Sequence, residues 1–215
     1  MVRAALLAGV LVACIAAFIW LLQQTAHGTT DAFDRAVVAW VVGHRNPDLT
    51  AIAADLTALG SRTLLTIATV LIAALLWTSR RRLAALDTVL ACTAANLITS
   101  ATKALLERPR PALDAQLVHP GGYSFPSGHS SGITALLTAT ALHTIEAAAT
   151  PAQRIVLGVF HALLILAVGW SRIYLGVHYP TDVVAGICVG VACGLAAHGL
   201  LRTRAIVRQI RSLLA

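Results

Sequence analysis

Six apolar stretches, each close to the length of a bilayer-crossing helix, constrain the fold of this chain more than any other feature. A transmembrane α-helix needs about 20 predominantly apolar residues. The stretches cover residues 4–22, 62–79, 83–104, 129–147, 155–171 and 181–201. They predict an all-α fold, a polytopic membrane helix bundle with six transmembrane helices. We expect the first stretch to be a retained anchor, because no small-residue cleavage site closes it.

Composition indicates a membrane protein of one domain. Hydrophobic residues make up 58% of the 215 residues, charged residues make up 12%, and the mean hydropathy is +0.79. Soluble domains are nearer a quarter charged. We therefore predict a single membrane domain over residues 1–215, without a linker or repeat. The four cysteines lie in apolar runs and lack disulfide or zinc spacing, so we interpret them as small buried apolar residues.

Basic residues at the ends of the stretches predict the orientation of the bundle. With the N-terminus inside, nine arginines fall on the inner side and seven basic residues fall on the outer side. Three of those seven belong to the motifs described below, which leaves nine against four. Since Lys- and Arg-rich ends stay in the cytoplasm, this bias predicts that both termini are cytoplasmic. We attribute the net charge of +7 to arginines that set this orientation and contact lipid phosphates, rather than to binding of nucleic acid.

Residues 28–60 do not form a span, and they predict a short interfacial helical segment on the outer face, lying over the bundle. Asp31 and Asp34 suit the first turn of one helix. Asn46, which a proline and an acid follow, predicts the N-cap and first turn of a second helix. Gly60 is expected to close that second helix.

Three short motifs, far apart in the chain, carry residue types suited to phosphate chemistry. They are Lys103-x6-Arg110-Pro111, Pro126-Ser127-Gly128-His129 and Ser171-Arg172-x5-His178-x3-Asp182. Lys103 is the only lysine among 16 basic residues, which hints that an ammonium group is needed there. All three motifs fall at predicted outer ends of spans, so they can share one site.

The second and third motifs supply an anion-binding turn and reactive side chains. Gly128 permits close approach of the backbone to a ligand, and free N–H groups at a helix N-terminus bind anions. His129 in the first turn then lies beside the bound anion. His178 and Asp182 lie about one helical turn apart, so the carboxylate can fix the imidazole tautomer. Asp182 at the start of a membrane helix is costly, which favours a functional role.

Other polar residues have simpler interpretations. Arg108 also precedes a proline, but only Arg110 has the required separation from Lys103, so Arg108 is not expected to contribute. Asp87 is interpreted as an interhelical polar contact, and the histidines outside the motifs are interpreted as structural. No group has the spacing of a metal cage, so we expect no metal and no cofactor.

Together, in this order and on one membrane face, the motifs resemble the signature of the type 2 phosphatidic acid phosphatase and vanadium haloperoxidase superfamily. Every signature position is matched, and the match covers roughly residues 103–182. The resemblance implies an all-α core and a metal-independent phosphomonoesterase or diphosphatase. The six-span layout is similar to that of bacterial integral-membrane lipid phosphatases.

The resemblance also implies a role for each motif residue. His178 is implied to be the nucleophile that forms a phosphohistidine, Asp182 to orient and activate it, and His129 to protonate the leaving oxygen. Five residues are implied to hold the phosphoryl oxygens: Lys103, Arg110, Ser127, Gly128 and Arg172. These roles agree with the needs of phosphoryl transfer, which are positioning and neutralisation of spreading negative charge.

We therefore expect a lipid phosphatase of the inner (plasma) membrane with an extracytoplasmic site and a lipid phosphate as its partner. A polyprenyl diphosphate, phosphatidylglycerophosphate and phosphatidate are the candidate substrates. A lipid phosphotransferase would use the same site and stays open as an alternative. A non-catalytic transporter or lipid-binding bundle would not need the nucleophile and acid, and the six spans argue against a haloperoxidase.

Overall fold

The computed structural model describes residues 2–214, except for the side chains of residues 3, 146 and 204–214. Over this range the chain forms eight α-helices and one 3₁₀ turn, Leu113–Ala115, and no strand. The helices are α1 (Val2–Ala26), α2 (Asp31–Gly43), α3 (Pro47–Ala58), α4 (Arg62–Thr78), α5 (Arg82–Leu106), α6 (Gly128–Ala147), α7 (Pro151–Tyr174) and α8 (Pro180–Leu214). The prediction of an all-α fold is confirmed.

Within the described part of the chain, four helices are long and apolar enough to cross a membrane by themselves, namely α1, α5, α7 and α8. Helices α3 and α4 meet at a bend of 46° and make a fifth candidate if the pair is one span. Helices occupy all six predicted stretches, but α4 alone has only 17 residues and α6 is too polar. A multi-pass membrane protein is therefore supported, whereas the count of six spans is not confirmed.

The polarity of α6 follows from its place in the bundle. This helix packs against α4, α5, α7 and α8. Its first two turns bury Ser130, Ser131 and Thr134 among those neighbours. Because helices rather than lipid surround it, α6 does not need the apolar surface by which a membrane span is usually recognised in sequence.

Three glycines on one face of α8 hold α8 close against α6. They follow each other at four-residue intervals, as Gly186, Gly190 and Gly194. A Cβ atom at Gly190 would lie 2.5 Å from Cβ of Thr134. Small residues of this kind let helix backbones approach closely. The contact sets the N-terminal ends of α6 and α8 side by side.

The segment between α1 and α4 contains the two predicted helices, α2 and α3. The Asn46 side chain caps α3 by accepting the Leu49 N–H at 2.8 Å, as the sequence predicts. Helix α3 ends at Ala58 with Leu59 as its C-cap, so Gly60 directly follows the end of the helix, as the sequence predicts. Its φ angle is not positive, so the position does not require glycine for a left-handed conformation. Gly60 instead gives room to His129, whose Cβ would lie 2.9 Å from a Cβ atom added at Gly60.

Four of the arginines used for the predicted orientation have side chains outside the described part of the chain. They are at positions 3, 204, 208 and 211. The orientation of the bundle in a membrane therefore stays a prediction.

Candidate active site

The three motifs meet at one end of the bundle, which we call the motif end. It comprises the C-terminal ends of α5 and α7 and the N-terminal ends of α6 and α8. Arg110 Nη1 lies 3.2 Å from His178 Nε2, which joins the first motif to the third. The Ser127 N–H donates to the Asp182 carbonyl oxygen at 2.9 Å, which joins the second motif to the third. Lys103 Nζ donates to the carbonyl oxygen of Ser124 at 3.0 Å, just before the second motif.

His178 and Asp182 form a buried pair at the start of α8. Nδ1 of His178 lies 3.3 Å from Oδ2 of Asp182, and the two residues are 2% and 0% exposed. The Tyr179 N–H donates to the same carboxylate oxygen at 2.9 Å, which fixes the carboxylate. With a proton on Nδ1 facing Asp182, the Nε2 lone pair of His178 faces the Arg110 guanidinium.

His178 is neutral at physiological pH. Burial lowers the pKa of its imidazole to about 3, and Arg110 and Lys103 act in the same direction, whereas Asp182 opposes them. A neutral imidazole has one ring nitrogen with a free lone pair, which is the form that attacks an electrophile.

Arg108, which the motif spacing set aside in favour of Arg110, lies between two buried carboxylates, one of them that of Asp182. Its Nη1 donates to Oδ1 of Asp182 at 2.7 Å, and its Nη2 donates to Oδ2 of Asp34 at 2.8 Å. The guanidinium also stacks over the Tyr179 ring at 4.3 Å, and Arg108 is only 7% exposed. Each carboxylate is 74 residues from Arg108 in the sequence, so motif spacing gives no sign of either contact.

Asp34 and Thr181 are two further residues that sequence reasoning missed. Oδ1 of Asp34 accepts the Thr181 N–H at 3.2 Å, and the Thr181 hydroxyl donates to Oδ2 of Asp34. Asp34 is fully buried and thereby ties α2 to the first turn of α8. Asp34 and Val38 lie one turn apart and are both buried residues of α2, but the sequence shows only an acid in the first turn and gives no sign of that burial.

Arg172 brings a buried cation to the motif end from the last turn of α7. It is 3% exposed, and its Nη1 donates to the Thr57 hydroxyl of α3. Its Nε is buried and has no hydrogen-bond partner within the described part of the chain. A buried donor without a partner is costly, and an anionic oxygen bound at this place would satisfy it.

The second motif begins α6. The Ser127 side chain caps this helix by accepting the Ser130 N–H at 3.3 Å, and Gly128 follows as the first helical residue. His129 is partly buried, and it lies within electrostatic reach of Arg172 and His178. The two histidines of the motifs thus share the electrostatic field of the motif cations.

The loop between α5 and α6 covers the first motif. Arg110 donates to the carbonyl oxygen of Gly122 at 3.0 Å and to that of Val177 at 2.7 Å. A cleft of about 370 Å³ opens beside Arg110 and is lined by residues of this loop. Chemically, the motif end combines a neutral imidazole, a second histidine and the three cations of the motifs, which suits attack on a tetrahedral anion such as a phosphate.

The comparison with known families agrees with this chemistry. Residues 83–206, more than half of the chain, match the PAP2 superfamily. The chain therefore belongs to the PAP2 superfamily, which confirms the resemblance drawn from the three motifs. It is an enzyme, a membrane phosphatase of the PAP2 type.

Two known proteins and one crystal structure are similar to this chain over different shares of its length. Phosphatidylglycerophosphatase B of Bacillus subtilis (strain 168) is 29% identical over 176 residues, which cover 81% of this chain and 86% of that protein. Decaprenylphosphoryl-5-phosphoribose phosphatase of Mycobacterium tuberculosis (strain H37Rv) is 34% identical over 103 residues, which cover 46% of this chain and 51% of that protein. The crystal structure of a transmembrane PAP2 type phosphatidylglycerolphosphate phosphatase from Bacillus subtilis superposes with a TM-score of 0.80 at 27% identity, covering 88% of this chain and 94% of that one.

Proposed function

We propose that this protein hydrolyses the terminal phosphate of a membrane lipid phosphate or diphosphate through a phosphohistidine at His178. The observation that carries the proposal is the state of that imidazole. It is buried and neutral, Asp182 holds it at Nδ1, and its Nε2 lies 3.2 Å from the Arg110 guanidinium.

In the first step Nε2 of His178 attacks the phosphorus, and the bond from phosphorus to the leaving oxygen breaks. A P–N bond forms, and the leaving oxygen takes a proton from His129, which acts as the general acid. In the second step water attacks the phosphorus and gives a proton to His129, which returns to its acid form, while the P–N bond breaks and inorganic phosphate leaves. The covalent intermediate divides one difficult displacement into two easier ones.

The cations neutralise the charge that develops on the phosphoryl oxygens. Lys103, Arg110 and Arg172 supply this charge from α5, the following loop and α7. The unpartnered Nε of Arg172 supports a ligand oxygen at this place. Ser127 and the Gly128 amide lie at the N-terminus of α6, where an anion is favoured by the helix dipole.

Arg108 and Asp34 act as positioning residues. Arg108 holds Oδ1 of Asp182, so the other oxygen of that carboxylate faces Nδ1 of His178. Asp34 in turn anchors Arg108 and the Thr181 amide. The nucleophile is therefore oriented by a chain of buried charges that begins in α2.

A lipid substrate suits a site between helix ends. Helices α1 and α7 expose large apolar side chains, including Val12, Ile19, Phe160 and Leu163, to the surroundings of the bundle. A lipid tail can lie along such a surface while its phosphate stays at the motif end. Among the candidates we favour phosphatidylglycerophosphate, because the phosphatidylglycerophosphatase B of Bacillus subtilis matches 81% of this chain. A polyprenyl diphosphate and phosphatidate are the next candidates.

The placement in the membrane is part of the proposal. We infer six spans, with α6 enclosed by its neighbours and α4 extended by the bend to α3. The termini lie in the cytoplasm, and the motif end faces the extracytoplasmic side of the plasma membrane, because the arginines are biased to the opposite end.

The proposal is tested by phosphate release from a panel of lipid phosphates. Purified protein in detergent receives phosphatidylglycerophosphate, a polyprenyl diphosphate or phosphatidate, each with and without an acceptor lipid. We expect release into water without an acceptor, and release that survives EDTA because the proposed chemistry uses only protein side chains. Release that requires the acceptor would favour the phosphotransferase, and no release from any lipid phosphate by folded protein would overturn the proposal.

A further inference from the structure

We propose a second site, a binding site for a divalent transition-metal ion, formed by Asp87, His143 and His198 at the end of the bundle opposite the motif end. Oδ2 of Asp87 lies 2.9 Å from Nε2 of His143 and 3.0 Å from Nδ1 of His198. The three ligand atoms all lie within 4.8 Å of one another. An ion bound at about 2 Å to each atom needs ligand atoms no more than about 4 Å apart, which the two contacts of Asp87 satisfy and to which the two imidazoles can adjust by small side-chain rotations.

Burial of the carboxylate favours a cation at this cluster. Asp87 is 1% exposed and His198 is 5% exposed. Oδ1 of Asp87 is buried and has no hydrogen-bond partner within the described part of the chain. A buried carboxylate needs compensation of its charge and hydrogen-bond partners at both oxygens, and the two imidazoles both contact the same oxygen, Oδ2. A divalent ion beside the carboxylate provides positive charge at both oxygens of Asp87.

The donor set favours a particular class of metal. Two imidazole nitrogens and one carboxylate oxygen suit Zn²⁺ and related first-row ions, whereas Mg²⁺ and Ca²⁺ prefer oxygen ligands. The ligands come from α5, α6 and α8, with Asp87 56 residues from His143 and 111 residues from His198. No regular metal spacing therefore appears in the sequence, which explains why the sequence predicted no metal.

The proposed ion is structural rather than catalytic. On each of the three helices the cluster residue is 14 to 16 residues from a residue of the motif end. At the rise of an α-helix this separation is roughly 21–24 Å. An ion at the cluster would join the opposite ends of the helices that carry Lys103, His129 and Asp182, and would hold them in register.

The test uses full-length protein without a polyhistidine tag, stripped of metal with EDTA and then dialysed. Zn²⁺ is titrated by calorimetry, and Co²⁺ is added separately as an optical probe. We expect one Zn²⁺ per chain, the visible absorption of low-symmetry Co²⁺, and a rise in Tm on adding Zn²⁺. The variants Asp87→Asn and His198→Ala should lose all three responses.

His161→Ala is the matched control. His161 is a partly buried histidine of α7 whose Nδ1 contacts the Leu157 carbonyl oxygen of its own helix, so this variant should bind metal like the wild type. Failure of the wild-type protein to bind Zn²⁺ or to change the Co²⁺ spectrum would overturn the proposal and leave a hydrogen-bonded triad only. The proposal would also be overturned if His198→Ala bound Zn²⁺ as tightly as the wild type does. The wild-type titration decides the question even where a variant does not fold.

Discussion

Arg108 joins two buried carboxylates, and each residue of this trio depends on the others. Its guanidinium donates to Asp34 and to Asp182, which are both fully buried. Removing one partner of a buried ion pair typically costs about 3–5 kcal/mol, because an uncompensated charge stays behind. Arg110 differs, because its partners are backbone carbonyls and the His178 ring rather than buried carboxylates.

Replacing Arg108 and replacing Arg110 should therefore have different effects on stability and on phosphate release. Arg108→Ala should lower Tm and also lower kcat by about tenfold or more with little change in KM, because Asp182 no longer orients His178. Arg110→Ala should keep Tm near that of the wild type and lose phosphate release through lost charge stabilisation. Thermal unfolding and steady-state phosphate release measure both effects, with Arg108→Lys as the conservative variant. Wild-type stability and turnover in Arg108→Ala would contradict the role assigned to this residue.

The pKa of His178 predicts a dependence of stability on pH. The imidazole titrates near 3 in the folded protein and near 6.5 ordinarily. Above pH 6.5 both folded and unfolded chains hold it neutral, so its contribution is fully present. As the pH falls from 6.5 toward 3, only the unfolded chain takes up the proton, and stability falls by up to about 1.4 kcal/mol per pH unit.

This dependence is measured as the loss of Tm between about pH 7 and pH 5. His178→Gln should lose less Tm over that range than the wild type, because it lacks the buried imidazole. His119→Gln, at an exposed histidine of the loop, serves as the control and should follow the wild type. Equal losses in the wild type and His178→Gln would show that His178 is not held neutral by the fold.

For single residues, the sequence predicts contacts between neighbours within a motif and misses contacts between residues far apart in the chain. The four-residue interval from His178 to Asp182 places the pair on one helical turn, and the structure has the contact. The partners of Arg108 are each 74 residues away, and only the packing of α2 against α8 brings them together. A single sequence contains no local pattern for such contacts.

At the scale of helices, the contact between α6 and α8 places the second motif beside the third. The glycines of α8 make that contact possible, and Gly190 is the tightest of them, with Cβ of Thr134 2.5 Å and the Ser131 carbonyl 2.7 Å from an added Cβ. Forced overpacking of this kind usually costs about 1–3 kcal/mol. The separation of α6 from α8 would also move Ser127 away from Asp182.

Gly190→Ala should therefore lower both Tm and phosphate release. Gly199→Ala is the matched control, because it lies on the same helix and an added Cβ there meets no atom within 4 Å. That control should be as stable as the wild type or slightly more stable, since alanine favours a helix over glycine. Indistinguishable Tm values for the two variants would show that the contact between α6 and α8 tolerates a wider spacing.

Helix positions follow from the sequence more readily than their surroundings do. The Asn46 cap and the apolar runs predict where helices lie, because both signals are local. The burial of α6 among four helices depends on contacts with distant parts of the chain. The sequence alone therefore does not explain why α6 is polar, and it does not distinguish an enclosed membrane span from a helix that is too polar to cross a membrane. Gly60 shows the same limit, since its neighbour His129 is distant in the chain.

At the scale of the whole molecule, the two ends of the bundle differ in chemistry and are predicted to face different compartments. The loop between α5 and α6 lies at the motif end, and the turn between α4 and α5 lies at the opposite end. Impermeant maleimide on intact cells should label Val118→Cys and leave Ser79→Cys unlabelled until the cells are permeabilised, in a background without the native cysteines. The reverse labelling pattern would place the motif end in the cytoplasm.

The phosphohistidine at His178 is tested most directly by rapid-quench trapping of the phosphoenzyme from radiolabelled lipid phosphate. We expect an acid-labile, base-stable label on the wild type and none on His178→Ala. With labelled p-nitrophenyl phosphate, His129→Ala should still acquire the label, provided the wild type accepts that substrate, because p-nitrophenolate leaves without a proton. A label that persists on folded His178→Ala, or a wild type that turns over lipid phosphate without ever carrying a label, would show that the reaction does not pass through a phosphohistidine at His178.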